Sequence, residues 1–157
     1  MENNTYEELK LKNQLCFPLY ACAKEIVRAY KPQLDSLDLT YTQYIVMLVL
    51  WEKKSCNVKS LGSLLFLDSG TPTPVLKKLE SKGYISRRSS DDDERELIVS
   101  ITNEGDQLKH KAVNVPRSMG QCVGLDAEES LQLYGLLYKV LGNLKGIYTQ
   151  NLKDLAY

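Results

Sequence analysis

Apolar residues recur with helical spacing from the start of the chain. Leu15, Leu19, Cys22, Ile26 and Tyr30 follow at intervals of four, three, four and four, so they share one helical face. Lys31 precedes Pro32, and a residue before proline is driven out of the α region, so this helix is expected to end there. "DLTYTQYIVMLVLWE" offers Thr40 as an N-cap and then a helix, apolar on nearly every side, to about Trp51. "NVKSLGSLLFL" has Asn57 as a cap and Val58, Leu61, Leu64 and Leu65 on one face. "DSGTPTPVLKKLESKG" is expected to open at Asp68 or Ser69 and to close with Gly83 in the left-handed position past the helix. The two short helices would meet at a corner over residues 67–69, the helix-turn-helix arrangement.

The period then changes. Residues 84–88 and 97–101 alternate and are β-prone, with a charged tip over 89–96, which predicts a hairpin. A helix-turn-helix followed by a hairpin is a winged helix. Thr102 is a good N-cap for a helix to roughly Arg117, interrupted near Pro116. Asp126 and Glu129 have capping-box spacing. After them Leu133, Leu136 or Leu137, Val140, Leu144 and Ile147 form an apolar stripe that wants a partner. The expected fold is mainly α with a small β-hairpin wing. Residues 1–38 and 104–157 form a helical dimerisation region, and 39–103 form the winged helix-turn-helix. A two-fold homodimer follows.

A chain of 157 residues suits one such domain with a dimer arm. Apolar (43%) and charged (25%) contents are those of an ordinary globular protein, which needs no disulfides to fold. The polar start "MENNTYEELK" is not a signal peptide. The longest apolar run, "YIVMLVLW", is far shorter than the ~20 residues of a membrane span. A cytoplasmic location, no membrane partner and reduced thiols are therefore expected. Cysteines at 16, 22, 56 and 122 form no C-x2-C pair and the single histidine, His110, is near none of them in sequence, so neither metal nor cofactor is expected.

Net charge is zero, but it is unevenly spread. Residues 53–88 carry eight basic groups (Lys53, Lys54, Lys59, Lys77, Lys78, Lys82, Arg87, Arg88) against two acidic ones, Asp68 and Glu80, a net of +6. Charges beyond a Debye length of ~8 Å are screened, so this local excess governs attraction to phosphate. A solvated basic face is the ordinary reading. A winged helix that gathers those residues makes double-stranded DNA the expected partner.

Cys16 has its own local argument. A free cysteine is most often a small buried hydrophobe. Pro18, however, belongs in a helix's first turn, so the helix should begin near residues 15–17 with Cys16 at its N-terminus. A helix N-terminus favours an anion and lowers a thiol's pKa from its usual ~8.5. A tyrosine hydroxyl donating to the thiolate would stabilise it further, and Tyr20 is a local candidate. Cys22, on the face of Leu15 and Ile26, reads as core. Cys56, just before an N-cap, has no assigned role.

Four stretches together resemble the MarR family of winged-helix repressors, and within it the organic-hydroperoxide-sensing, OhrR-type branch. They are "NQLCFPLYA", "LTYTQYIVMLVLWE", "FLDSGTPTPVLKKLESKGYISRRSS" and "DERELIVSITNEG". The last holds the family's D-x-R wing pattern as Asp93 and Arg95; the first is specific to the thiol-sensing branch. The resemblance covers nearly the whole chain. It implies a homodimer on a palindromic operator, released when organic hydroperoxide oxidises a cysteine. It also implies that Ser69, Thr71 and Thr73 face DNA on a helix over 69–82, whose first turn enters the ~12 Å major groove. Lys77 and Lys78 are then expected on the phosphate backbone, with Arg87 and Arg88 in the same DNA-binding set. Arg95, braced by Asp93, is expected in the minor groove, whose potential favours arginine. Pro72 departs from the family, which usually has an apolar non-proline residue there.

For the thiol, the resemblance assigns Tyr30 and Tyr41 of the partner subunit as hydrogen-bond donors to Cys16. Two-cysteine members have a resolving cysteine in the region of Cys122, which implies an intersubunit Cys16–Cys122 disulfide; otherwise a small cellular thiol would cap Cys16. Two alternatives stay open. One is a repressor of the same fold that responds to a phenolic or similar ligand in the cleft between dimer arm and winged helix. The other is a thiol peroxidase, which would leave the basic segment unexplained.

Overall fold

The computed structural model describes residues 6–67, 70–90 and 96–145. Two short 3-10 turns, Glu7–Leu9 and Leu11–Asn13, lead into α1 (Cys16–Asp35). Pro32 does not end α1: the helix passes through it and runs on to Asp35. The physical reason lies just beyond. Leu34, Leu37 and Leu39 are all buried in the core. Burying each is worth about 1.5–3 kcal/mol, together more than the roughly 3 kcal/mol cost of an internal proline. The chain then turns sharply through Asp38, a non-glycine residue at φ 52°.

Helix α2 (Tyr41–Lys53) opens with the expected Thr40 cap, completed by Gln43 as a reciprocal capping box. It is the centre of the fold: Tyr44, Val46, Met47, Val49 and Leu50 are buried on it. The strand β1 (Ser55–Asn57) follows, and α3 (Val58–Leu64) starts on the Asn57 side chain, which accepts from the amides of Lys59 and Ser60. After α3 the chain turns at Phe66, which adopts φ 54° while the Leu67 amide donates back to the Gly62 carbonyl; of the corner expected over 67–69, residues 68 and 69 lie outside the described residues.

Helix α4 covers Pro72–Ser81. Its expected caps, Asp68 and Ser69, lie outside the described residues. The helix begins later than they imply, with Pro72 in its first turn, where the missing N–H has no helical partner to lose. Its end matches expectation. Gly83 sits at φ 76°, its amide donates to Glu80, and the Tyr84 amide reaches the Leu79 carbonyl, a Schellman closure.

Strands β2 (Ile85–Ser89) and β3 (Leu97–Ile101) form the hairpin in the register Ile85 to Ile101 and Arg87 to Val99. β1 adds to the other edge of β3, giving an antiparallel sheet of order β1-β3-β2. Thr102 caps α5 (Asn103–Ala112) as expected. The interruption expected near Pro116 falls just before it, at residues 113–114, and places Pro116 in the first turn of α6 (Val115–Val123). Asp126 and Glu129 make their capping box ahead of α7 (Ala127–Lys145).

The core lies inside the winged helix and spreads to α5 and α6 through Leu108, Ala112, Val115 and Met119. The terminal helices are different. α1 buries only Leu34, while Leu15 is 76% exposed and Cys22, expected in the core, is exposed. Among the described residues, that face of α1 is covered only in part: Leu19 and Tyr30 are half-buried, while Leu15, Cys22 and Ile26 are exposed. On α7, Leu131, Leu133, Leu136, Leu137 and Leu144 are exposed too; Ile147 lies outside the described residues. No helix among the described residues is long and apolar enough to cross a membrane.

Candidate nucleic-acid interface and thiol site

The helix-turn-helix puts α4 on the surface with its apolar side inward. Leu76 and Leu79 are fully buried, and Pro72 is buried where a Cβ on Gly62 would lie 3.4 Å from its ring. Pro72 thus makes an apolar contact between α3 and α4. The opposite side of α4 shows Thr73, Lys77 and Lys78 to solvent, with Thr71 half-buried just before the helix. Among the described residues neither Lys77 nor Lys78 has an acidic partner, so both charges are available to an external anion. Ser69, Asp93 and Arg95 lie outside the described residues.

Not every basic group of the segment is available. Lys54 is bound to Asp106 at 2.7 Å, and Lys109 reaches the same carboxylate at 3.0 Å. Hydrogen bonds from Lys54 and then Lys109 hold the Asp106 carboxyl below the usual range. Lys82 is bound to Asp38 at 3.0 Å. Arg87 is the clearest case: its Nε donates to Glu80 at 2.9 Å, a second nitrogen reaches the same oxygen, and its backbone amide donates to the other oxygen at 3.1 Å. Arg87, placed in the DNA-binding set on sequence, therefore joins the wing to α4. Arg88, next along β2, is exposed. The signal for the Arg87 pairing was weak in sequence: one acid in a basic run, seven residues away.

The thiol lies at the N-terminal end of α1. Cys16 is the first residue of α1 and is exposed, as its position before Pro18 implied. Tyr20 is exposed one turn on. Tyr30 is fourteen residues further along the same helix, about 21 Å at 1.5 Å per residue, so it cannot meet Cys16 of its own chain. Instead Tyr30 packs on Tyr41 (ring centroids 4.9 Å) and Tyr44 (5.7 Å) at the α1–α2 corner. Burial pushes all three phenols upward, Tyr44 to about 12, so they remain protonated donors at neutral pH. Cys122 is exposed near the end of α6, and α6 packs against α1. Cys56 is half-buried in β1 opposite Val99; burial pushes its thiol up, which makes it a poor nucleophile.

A helix-turn-helix backed by a three-stranded sheet, with its hairpin beside the second helix, defines a winged-helix regulator of transcription. A family model for the transcriptional regulator SarA/Rot matches residues 28–112. The organic hydroperoxide resistance transcriptional regulator of Bacillus subtilis is 46% identical over 144 residues, covering 90% of this chain and 96% of that protein. Reduced AbfR bound to DNA superposes with a TM-score of 0.73 at 33% identity, covering 88% of this chain and 96% of that one. Disulfide-formed AbfR gives 0.63 at 33% identity, over 92% and 98%. A mutant MarR from E. coli complexed with operator DNA gives 0.76 at 26% identity, over 88% and 99%. The chain belongs to the MarR/SarA family of winged-helix transcriptional regulators.

Proposed function

We propose that this protein is a redox-sensing repressor that binds a palindromic operator as a homodimer and leaves it when organic hydroperoxide oxidises Cys16. The observation that carries this reading is the place of Cys16: exposed, at the start of a 20-residue helix, between the exposed apolar residues Leu15 and Phe17. Docking the two α1 helices would bring one subunit's Cys16 to the partner's tyrosine corner. There Tyr30 and Tyr41, kept protonated, donate to the thiolate. The relatives named above include an organic hydroperoxide resistance regulator, a DNA-bound reduced form and a disulfide form, which supports the same chemistry here.

The step balances simply. The Cys16 thiolate attacks a peroxide oxygen, the O–O bond breaks, and the alkoxide leaves and takes a proton as alcohol. Sulfur is oxidised by two electrons to the sulfenic acid and the peroxide is reduced. The Cys122 thiolate then attacks that sulfur, an S–S bond forms, and hydroxide leaves as water. Thr71, Thr73, Lys77, Lys78 and Arg88 face the DNA, with Ser69 and an Arg95 braced by Asp93 completing the contact.

One observation favours a second reading. An apolar cleft of about 350 Å3 lies among Ile45, Leu48, Leu64, Phe66, Tyr138 and Leu141, between α2, the α3 corner and α7. Its size suits a small aromatic ligand. Gel shifts of wild type and Cys16→Ser with peroxide and with a phenolic ligand separate the two: the redox reading requires that peroxide release wild type and not Cys16→Ser, and the ligand reading that Cys16→Ser still respond to its inducer.

A further inference from the structure

The C-terminal end of α4 is fastened to a part of the molecule distant in sequence. Lys82 follows α4 directly and reaches back 44 residues to the α1–α2 corner. Its Nζ donates to the Asp38 backbone carbonyl, sits 3.0 Å from the Asp38 carboxylate, and lies 3.5 Å from Gln43 Oε1. Gln43 is the buried polar residue of the core, 2% exposed. The same Gln43 oxygen accepts from the Thr40 amide at 3.0 Å in the capping box of α2. Asp38 holds its carbonyl toward Lys82 from a left-handed backbone, an arrangement an aspartate tolerates better than most residues. The three groups therefore form a joint, and on either side of Gln43 in sequence stand Tyr41 and Tyr44, which stack on Tyr30.

We propose that Lys82 is a positioning residue for DNA recognition: its clamp on Asp38 and Gln43 sets the tilt of α4 relative to the tyrosine corner. The inference rests on the reading of α4 as the helix that enters the DNA groove. The N-terminal end of α4 is seated by Pro72 on α3, its middle is buried through Leu76 and Leu79, and its last turn is tied to the wing by Glu80 and Arg87. The Lys82 clamp fastens the C-terminal end of α4, and it leads to the α1–α2 corner. A lysine used this way differs in a measurable respect from one that touches phosphate. Phosphate contacts release counterions, so losing one lowers the slope of log affinity against log salt by about 1 and weakens all DNA alike. A positioning lysine alters the fit to the specific site only.

The test uses the full-length reduced protein with Lys82→Met, Lys82→Arg and Asp38→Asn. Operator and unrelated duplex DNA are each titrated at several salt concentrations, and every variant is checked by thermal melting. The methionine keeps the stem and removes the donor. Lys82→Met is expected to lose about tenfold in operator affinity with non-specific affinity and salt slope unchanged, and Lys82→Arg to restore most of the loss. Asp38→Asn should weaken the operator complex in the same direction, and its effect should not add to that of Lys82→Met. Equal weakening on both DNAs with a shallower slope would show a phosphate contact and overturn the clamp. Unchanged operator affinity in a folded Lys82→Met protein would overturn it as well. Wild-type protein that bound no duplex at all would overturn the DNA-binding reading and the clamp together, whereas the first two results leave the DNA-binding reading standing.

Discussion

Glu80 on α4 holds Arg87 on β2 through both of its carboxylate oxygens, which ties α4 to the first strand of the wing. The guanidinium beside Glu80 holds that carboxyl below the usual carboxylate range, chiefly by hydrogen bonding. A folded-state pKa below the unfolded value of ~4.3 means the contribution is fully present above that pH. It is lost as pH falls through the lower folded value. Glu80→Gln is therefore expected to flatten the acid side of the stability profile, read by melting between about pH 3 and pH 6. At neutral pH, where the contribution is fully present, the same variant should melt below wild type, with the difference closing toward about pH 3, and should weaken operator binding several-fold.

Gly105 marks a second contact that admits no substitution. A Cβ there would stand 2.1 Å from the Tyr84 carbonyl oxygen, and the Gly105 carbonyl already accepts from the Trp51 indole at 2.8 Å. The clash is with backbone, which has no rotamer to change. Gly105→Ala is expected to cost about 3 kcal/mol or more, measured by denaturant unfolding. A loss below about 1 kcal/mol would mean that α5 slides freely on the sheet.

Much of this was legible in the sequence wherever the determinant was local. Thr40, Asn57, Thr102 and the Asp126–Glu129 pair each cap the helix they were expected to cap, because a cap is decided within three or four residues. Gly83 closes α4 for the same reason. Failures came where distant parts of the chain decide. Pro32 lies inside α1 because the buried leucines beyond it outweigh the proline. β1 is three residues long and exists only by pairing with β3. Arg87 and Lys82 read as two more cations in a basic run, and only the fold brings Glu80 and Asp38 to them. Cys22 followed the helical period correctly, but among the described residues nothing buries it.

Lys77 and Lys78 provide a quantitative check of the DNA face. Both are exposed on α4 and without acidic partners among the described residues. Replacing either by alanine should lower the salt slope of binding by about 1 and weaken operator and unrelated DNA in parallel. Titrations at several salt concentrations give both numbers. A loss confined to the operator would instead place that lysine on a base edge.

The most direct test of the central claim is a gel shift on the operator with wild type, Cys16→Ser and Cys122→Ser, each with and without an organic hydroperoxide. Wild type should be released by peroxide and rebind after a dithiol reductant, and Cys16→Ser should stay bound throughout. A non-reducing gel of the same samples should show a covalent dimer in wild type and none in Cys122→Ser. Release of Cys16→Ser by peroxide to the same extent as wild type would contradict the account.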